Sequence, residues 1–139
     1  MVDQNCAYCM EGELVAKFGI KICELETSKV YLFKEQSHPG RCIVAHKKHV
    51  GDMNELTAEE RAAYFEDVAR VARAIMKAFN PDKVNYGAYG DTGHHLHFHL
   101  CPKYKDEYEW GGVFLMNPDK KYLTDEKYAD MIEKIKANL

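Results

Sequence analysis

Histidines recur at every second position in one short segment, "HHLHFHLC", at residues 94–101. Successive side chains of a β-strand point to opposite faces of the sheet, so this alternation predicts a strand. His95, His97 and His99 then lie on one face, and the three apolar residues between and after them anchor the other face. Neighbouring imidazoles on the first face are about 6.6 Å apart, so one small anionic group can contact several of them.

The segments before the histidines predict an antiparallel sheet. Alternating apolar residues indicate a hairpin, and a Pro-Gly break separates it from a third apolar strand. A further strand precedes the histidine strand and is expected to pair with it across a tight turn, "GDTG". The predicted strands span residues 18–26, 29–36, 41–50, 83–89 and 94–101.

Two helices accompany the predicted sheet. Thr57 and Glu60 have the spacing of a capping box at the start of a long helix that ends at Asn80. Spacings of three and four predict one buried stripe on this helix, formed by Ala62, Phe65, Ala69, Ala72, Ile75 and Phe79. A short C-terminal helix follows its N-cap, Thr124. Residues 1–139 are therefore expected to form one α+β domain.

Composition restricts the classes of partner. The chain has 19 basic and 22 acidic residues and a formal charge of −3, which gives no general attraction to nucleic acid or to anionic membranes. No apolar run approaches the length of about 20 residues that spans a bilayer, and the polar start does not resemble a signal peptide. Five cysteines, an odd number, suit a reducing compartment. We expect a cytoplasmic protein without nucleic-acid or membrane partners.

An array of imidazoles serves two kinds of chemistry. Neutral imidazole binds transition metals, and near neutral pH it also acts as a nucleophile or as a hydrogen-bond donor to phosphate. Cys6 and Cys9 have the C-x₂-C spacing of a zinc knuckle, but they supply only half of a tetrahedral shell. By themselves, these residues are compatible with a metal site, as in a metal-handling protein, or with a phosphate site.

The segment "HHLHFHLCPKY" resembles the signature of the histidine triad (HIT) family, in which three histidines alternate with apolar residues. "CAYC", "LFKEQSHPGRCIVAHKKHV" and "VNYGAYGDTGHHLHFHLCPKY" resemble other family elements in the family's order. The last is similar to the short-loop branch that contains diadenosine polyphosphate hydrolases. The resemblance implies a HIT-like α+β fold, with an antiparallel sheet of about five strands, one long helix and a C-terminal helix, and a homodimer.

The resemblance also implies an activity. It points to a nucleotide hydrolase or transferase that acts at the α-phosphate of a purine nucleotide derivative, such as a dinucleoside polyphosphate or a nucleotidyl phosphoramidate. The alternative is a nucleotide-binding regulatory protein with little catalysis. His97 aligns with the nucleophile that forms a nucleotidyl-histidine intermediate, and His99 aligns with a histidine that donates to a phosphate oxygen. Glu35 aligns with a position that holds ribose, and Asn85 with one that contacts the phosphate region.

The same resemblance implies a metal site. In family members with an N-terminal C-x₂-C, the first triad histidine and the histidine of the Lys-x-His element complete a zinc shell. Here those ligands are Cys6, Cys9, His49 and His95. A closed Cys₂His₂ shell has no open position for water, so the expected cofactor is one structural zinc ion per chain.

Overall fold

The computed structural model describes residues 3–139 and contains one five-stranded antiparallel sheet with helices on both faces. The strands are β1 (Gly19–Glu24), β2 (Ser28–Phe33), β3 (Cys42–His46), β4 (Lys83–Gly87) and β5 (His97–Lys103). The helices are α1 (Ala7–Met10), α2 (Gly12–Ala16), α3 (Ala58–Phe79) and α4 (Asp125–Ala137), with a 3₁₀ turn at Met53–Glu55. The strand order is β1-β2-β3-β5-β4, which confirms the α+β prediction and places the histidine strand between β3 and β4.

The pairing of β3 with β5 gives the two sheet faces different roles. Ile43 lies opposite His99, and Ala45 lies opposite His97. Opposed residues of an antiparallel pair share a face, so these two apolar residues lie on the histidine face. On the other face, Phe98 and its neighbours belong to the main core under α3 and α4. As predicted, the alternation in the sequence places the histidines on one face of the sheet and the core residues on the other.

Helix α3 begins and ends where the sequence predicts. The Thr57 side chain accepts from the amide of Glu60, the Glu60 carboxylate accepts from the amide of Thr57, and Asn80 ends the helix in the left-handed conformation. The predicted stripe is wrong at Ala62 and Phe65, which are exposed. The buried residues of this helix are Tyr64, Asp67, Val68, Val71, Ala72, Ala74 and Ile75.

Two polar side chains explain why the buried face of α3 differs from the predicted apolar stripe. The Tyr64 hydroxyl donates to the carbonyl of Val44 at 2.7 Å, so its polar tip is satisfied inside the core. The Asp67 carboxylate accepts from the Thr27 amide at 2.9 Å, from the Thr27 hydroxyl at 2.8 Å and from the Ser28 hydroxyl at 2.7 Å. Polar residues that find partners can occupy a buried face, which apolar periodicity cannot detect.

The connection before β5 differs from the predicted tight turn. β4 ends at Gly87 and β5 starts at His97, so residues 88–96 form a wider connection. The backbone just before β5 still pairs, because the amide of Leu96 donates to the carbonyl of Val50 at 2.7 Å. The third strand is likewise shorter than predicted and ends at His46. The first triad histidine, His95, therefore precedes the regular strand.

The N-terminal helices pack on the histidine face. Tyr8 and Val15 form a second apolar cluster with residues of β2 and β3. The Glu11 carboxylate joins this arm to the sheet, since it accepts from the Tyr31 hydroxyl at 2.9 Å and pairs with Lys29 at 3.2 Å. The arm thereby brings Cys6, Cys9 and Tyr8 beside the histidine strand. Within residues 3–139, no helix is long and apolar enough to cross a membrane.

Candidate active site and metal centre

A cavity of about 590 Å³ opens on the histidine face of the sheet. His97 and His99 line its floor, and Tyr8 of the N-terminal arm lines one wall. The Tyr8 ring lies 4.9 Å from the ring of His97, centroid to centroid, and covers that imidazole on one side. Further lining residues come from the β1–β2 hairpin, from the connection before β5 and from the C-terminal segment; they include Phe18, Phe33, Glu35, Tyr89, His94, Met116, Asn117 and Tyr122.

The tautomer of His97 follows from its hydrogen bond. Its Nδ1 lies 2.6 Å from the carbonyl oxygen of His95. A carbonyl can only accept, so Nδ1 carries the proton and Nε2 keeps its lone pair. Burial lowers the pKa of His97, although the bond to the His95 carbonyl opposes that shift. His97 is therefore neutral near pH 7 and offers an unprotonated ring nitrogen to the cavity.

The tautomer of His99 is the opposite one. Its Nδ1 lies 3.1 Å from Nη2 of Arg41. A guanidinium group can only donate, so Nδ1 accepts and Nε2 carries the proton. Burial, with smaller contributions from Arg41 and His97, lowers the pKa of His99 to about 2. Two adjacent imidazoles, with ring centroids 5.4 Å apart, thus offer one nucleophilic nitrogen and one N–H donor.

A compact cluster of two cysteines and two histidines lies beside these two imidazoles, and its members are Cys6, Cys9, His49 and His95. All four ligand atoms lie within 4.8 Å of one another. Nδ1 of His95 lies 3.3 Å from Sγ of Cys6, and Nδ1 of His49 lies 3.2 Å from Sγ of Cys9. A tetrahedral zinc ion with Zn–S near about 2.3 Å and Zn–N near about 2.0 Å needs S–N separations only slightly longer. The cluster fits a metal ion with this donor set.

A carbonyl behind the cluster orients one ligand. Nε2 of His95 lies 2.6 Å from the carbonyl oxygen of His46, so Nε2 donates and Nδ1 is left for a metal. Burial lowers the pKa of His95 to about 4, which keeps this ligand neutral. His95 also supplies the carbonyl that orients His97. One residue therefore joins the metal cluster to the nitrogen available for catalysis.

Glu35 lies in the cavity wall and is already held by hydrogen bonds. Its Oε2 accepts from the Ser37 hydroxyl at 2.7 Å and from the amides of Lys120 and Lys121, both at 2.8 Å. Its Oε1 accepts only from the amide of Ser37, at 2.9 Å. Burial opposes ionisation, but these bonds lower the pKa of Glu35, so the residue is a carboxylate. Oε1 retains capacity for another donor.

Asn85 is the one predicted site residue that lies in neither the main cavity nor the metal cluster. It lies opposite Cys101 in the β4–β5 pair and lines a second cavity of about 290 Å³ with Lys103 and Trp110. The structure brings the other seven predicted site residues together at the triad, the metal cluster and the cavity wall. A contact between Asn85 and a phosphate stays a prediction from the resemblance.

Sequence reasoning missed several residues of the site. Arg41 contacts His99, and the sequence did contain a signal for it, because period-two alternation places Arg41 on the same face as Ile43. Tyr8 stands between the two cysteines and could have been placed with them. The cavity residues Met116 and Tyr122 lie in an irregular segment, for which the sequence offers no periodicity.

The fold and the site together define a protein of the histidine triad class. The defining features are the antiparallel sheet, the alternating histidines at a cavity and the neutral imidazole with its orienting carbonyl. The sequence model of the HIT domain matches residues 19–106. The chain therefore belongs to the HIT family, as its sequence predicted.

Named relatives include nucleotide hydrolases. The chain is 28% identical over 123 residues to "Protein hit" of Bacillus subtilis, covering 84% of this chain and 83% of that protein. It is 28% identical over 116 residues to adenosine 5'-monophosphoramidase hnt1 of Schizosaccharomyces pombe, covering 77% and 80%. It is 28% identical over 104 residues to the asymmetrical bis(5'-nucleosyl)-tetraphosphatase of the same yeast, covering 66% of this chain and 57% of that protein.

Solved structures share the fold. A crystal structure of a HIT protein from Sinorhizobium meliloti superposes with a TM-score of 0.84 at 23% identity, covering 92% of this chain and 95% of that one. A zinc-bound HIT family protein from Mycobacterium smegmatis superposes with a TM-score of 0.67 at 21% identity, covering 95% and 94%. The HIT fold of this chain is thus found in proteins of low sequence identity.

Proposed function

We propose that this protein cleaves or transfers a nucleoside monophosphate from a nucleotide derivative, with His97 as the nucleophile. The observation that carries the proposal is the 2.6 Å contact between Nδ1 of His97 and the His95 carbonyl, which leaves a lone pair on Nε2. A neutral imidazole with a fixed tautomer is a competent nucleophile at pH 7. The phosphoramidase and tetraphosphatase among the relatives support the same class of chemistry.

The proposed reaction has two displacement steps at the α-phosphorus. In the first, Nε2 of His97 forms a bond to phosphorus, and the leaving group departs with the electron pair of the bond that breaks. Nδ1 keeps its proton, so the nucleotidyl-imidazole is cationic and the His95 carbonyl stabilises it. In the second, water or another acceptor attacks phosphorus and loses a proton, the N–P bond breaks, and neutral His97 is regenerated.

His99 is proposed to stabilise the charge that develops on the phosphate. With Nδ1 occupied by Arg41, Nε2–H is the donor available for a non-bridging oxygen. Removal of one such donor from an oxyanion site typically slows catalysis by about 10²- to 10³-fold. His97 and His99 are therefore proposed as the catalytic pair, one bonding to phosphorus and the other to its oxygen.

The expected substrate is a purine nucleotide derivative, such as a dinucleoside polyphosphate or a nucleotidyl phosphoramidate. Phe18 and Phe33 offer aromatic surface for a base in the cavity. Glu35 is proposed to hold a ribose hydroxyl through Oε1, since its Oε2 is taken by three donors. A polyphosphate can leave as an anion, whereas an amine leaving group needs a proton.

Zinc is proposed as the cofactor, held by Cys6, Cys9, His49 and His95. Two thiolates and two imidazoles form a closed shell, and bound zinc would supply a structural cross-link between the N-terminal arm and the strand that carries the triad. The zinc-bound mycobacterial relative supports this assignment.

A homodimer is proposed as the working form. Large apolar side chains are exposed on α3 and on β4, the strand at one edge of the sheet. They are Phe65 (37% exposed) and Met76 (42%) on α3 and Tyr86 (52%) on β4. These apolar side chains and the unpaired edge of β4 are suited to contact with a second copy of the chain.

The test is the intact mass of the protein after brief mixing with diadenosine tetraphosphate, measured under denaturing conditions that are not acidic. We expect wild type to gain the mass of one AMP group and His97→Ala to gain none. His94→Ala is the matched control, because His94 is an exposed cavity residue without a proposed bond to phosphorus. Tight AMP binding by wild type with neither adduct nor turnover, over a panel that includes adenosine phosphoramidate, would contradict the proposal and favour a nucleotide-binding regulatory protein.

A further inference from the structure

Arg41 is a fully buried cation with uncharged acceptors. It precedes β3, is 0% exposed, and its guanidinium lies between the rings of Phe33, at 4.2 Å, and Phe114, at 4.9 Å. Nη1 donates to the carbonyl of Leu115 at 3.1 Å, and Nη2 donates to the carbonyl of Met116 at 2.9 Å. Its Nε is buried without a hydrogen-bond partner among residues 3–139.

A buried guanidinium with uncharged acceptors is unfavourable for folding if it only fills space. A buried charge usually costs folding free energy unless an opposite charge compensates it, and an apolar side chain of similar volume is often as stabilising. Stability of the fold therefore does not account for a guanidinium at this position. Nη2 also lies 3.7 Å from Sδ of Met116 and 3.1 Å from Nδ1 of His99.

This contact restricts His99 to one chemical state. Protonation of Nδ1 would set an N–H group against the N–H donors of a cation, so the imidazole stays neutral with its proton on Nε2. In water the two neutral tautomers of a free imidazole coexist and the ring protonates near about pH 6.5. Burial and Arg41 both oppose protonation of the ring, and Arg41 alone excludes the Nδ1–H tautomer, from outside the cavity and behind the ring.

We propose that Arg41 is a positioning residue that holds His99 as a neutral Nε2–H donor and places a positive charge behind the phosphate-binding imidazole. In its kinetic part this proposal rests on the function proposed above. Through the carbonyls of Leu115 and Met116, Arg41 also ties the C-terminal wall of the cavity to the triad. Other titratable groups near Arg41 or His99 are Glu35, Tyr89, His97, Cys101 and Glu109.

The tautomer can be measured without substrate. Long-range proton–nitrogen NMR correlation of protein with ¹⁵N-labelled histidine separates protonated from unprotonated ring nitrogens, and loss of signals in His99→Asn assigns His99. We expect wild-type His99 to keep Nδ1 unprotonated and Nε2 protonated between about pH 8 and about pH 5. In Arg41→Met we expect mixed tautomers and protonation towards the ordinary pKa. Arg41→Lys retains a donor and a charge and should preserve the wild-type tautomer.

The kinetic measurement is the pH profile of kcat with diadenosine tetraphosphate. We expect Arg41→Met to lower kcat by about tenfold or more, because part of His99 would then carry its proton on Nδ1. The acidic limb of the profile should move to higher pH, because one of the causes that lower the pKa of His99 is removed while burial remains. Arg41→Lys should recover part of the rate and lack this shift. Arg61→Met is the matched control, because the Arg61 guanidinium donates to the carbonyl of Leu56 at 2.6 Å, on the face of the sheet that packs against α3.

Two results would overturn the proposal: a proton on Nδ1 of wild-type His99, or unchanged His99 signals and an unchanged pH profile in Arg41→Met. If Arg41→Met does not fold, the spectra of wild type and of Arg41→Lys test the proposal instead. Loss of the Nε2–H tautomer of His99 in a folded Arg41→Lys would also contradict the proposal. A wild type with the expected tautomer but neither adduct nor turnover would refute the proposed reaction only. The spectra would still decide the role of Arg41.

Discussion

Acidification is expected to destabilise the folded protein through His99. The pKa of this imidazole falls from 6.5 to about 2 on folding, first because of burial and then because of Arg41. Between these two pKa values, His99 is protonated in the unfolded chain and neutral in the folded chain. Since the unfolded state binds more protons, the free energy of unfolding falls as the pH drops below about 6.5, and the loss continues until the folded ring itself protonates.

The magnitude follows from the shift. At pH 5 the medium is about 1.5 pH units below the pKa of an unfolded histidine, and each unit corresponds to about 1.36 kcal/mol. His99 is 3% exposed, so solvent does not screen it appreciably. Between pH 7.5 and pH 5, His99 alone should thus remove about 2 kcal/mol from the free energy of unfolding. That is a large share of the stability of a typical domain.

The assay is urea unfolding at pH 7.5 and at pH 5, with wild type, His99→Asn and His94→Asn in the same metal state. The pH-dependent loss should be about 2 kcal/mol smaller in His99→Asn than in wild type, because asparagine does not titrate. His94→Asn, altered at an exposed ring, should show the full wild-type loss. Equal losses in wild type and His99→Asn would refute the account of a buried, neutral His99.

Three further predictions concern the metal cluster and the core. Cys9→Ser should reduce the zinc content below one ion per chain and lower the melting temperature; equal zinc content by elemental analysis would contradict the metal assignment. Tyr64→Phe removes the hydroxyl that donates to the Val44 carbonyl and should cost about 1–2 kcal/mol in urea unfolding, with an unchanged value as the contrary result. Asp67→Ala leaves three donors unpaired and should cost about 3 kcal/mol by the same measurement; a loss below about 1 kcal/mol would contradict this reading.

Local pattern predicted most of the secondary structure. The capping box at Thr57 and Glu60 marks the start of α3 because its hydrogen bonds join residues three apart, and such bonds can be read from spacing. The buried face of α3 could not be read in this way. Tyr64 and Asp67 are buried only because partners on β2 and β3 satisfy them, and those partners are distant in sequence.

The candidate site was likewise predicted in part from local pattern. The alternation of His95, His97 and His99 with apolar residues required a shared face and suggested phosphate or metal chemistry, since strand geometry has a period of two. The predicted start of β5 was wrong by three residues. The amide of Leu96 donates to the carbonyl of Val50 and the amide of His95 to that of Gly93, and alternation does not encode such contacts.

By itself, the sequence determined the strand and helix pattern, the common face of the three histidines and the chemical types available there. These follow from backbone periodicity and from the properties of single side chains. Only the tertiary structure decided which ring nitrogen of His97 and of His99 carries the proton, and that Cys6 meets His95 across 89 residues of chain. The physical reason is that a tautomer or a ligand shell depends on distances of about 3 Å between distant residues, which only packing of the whole chain establishes.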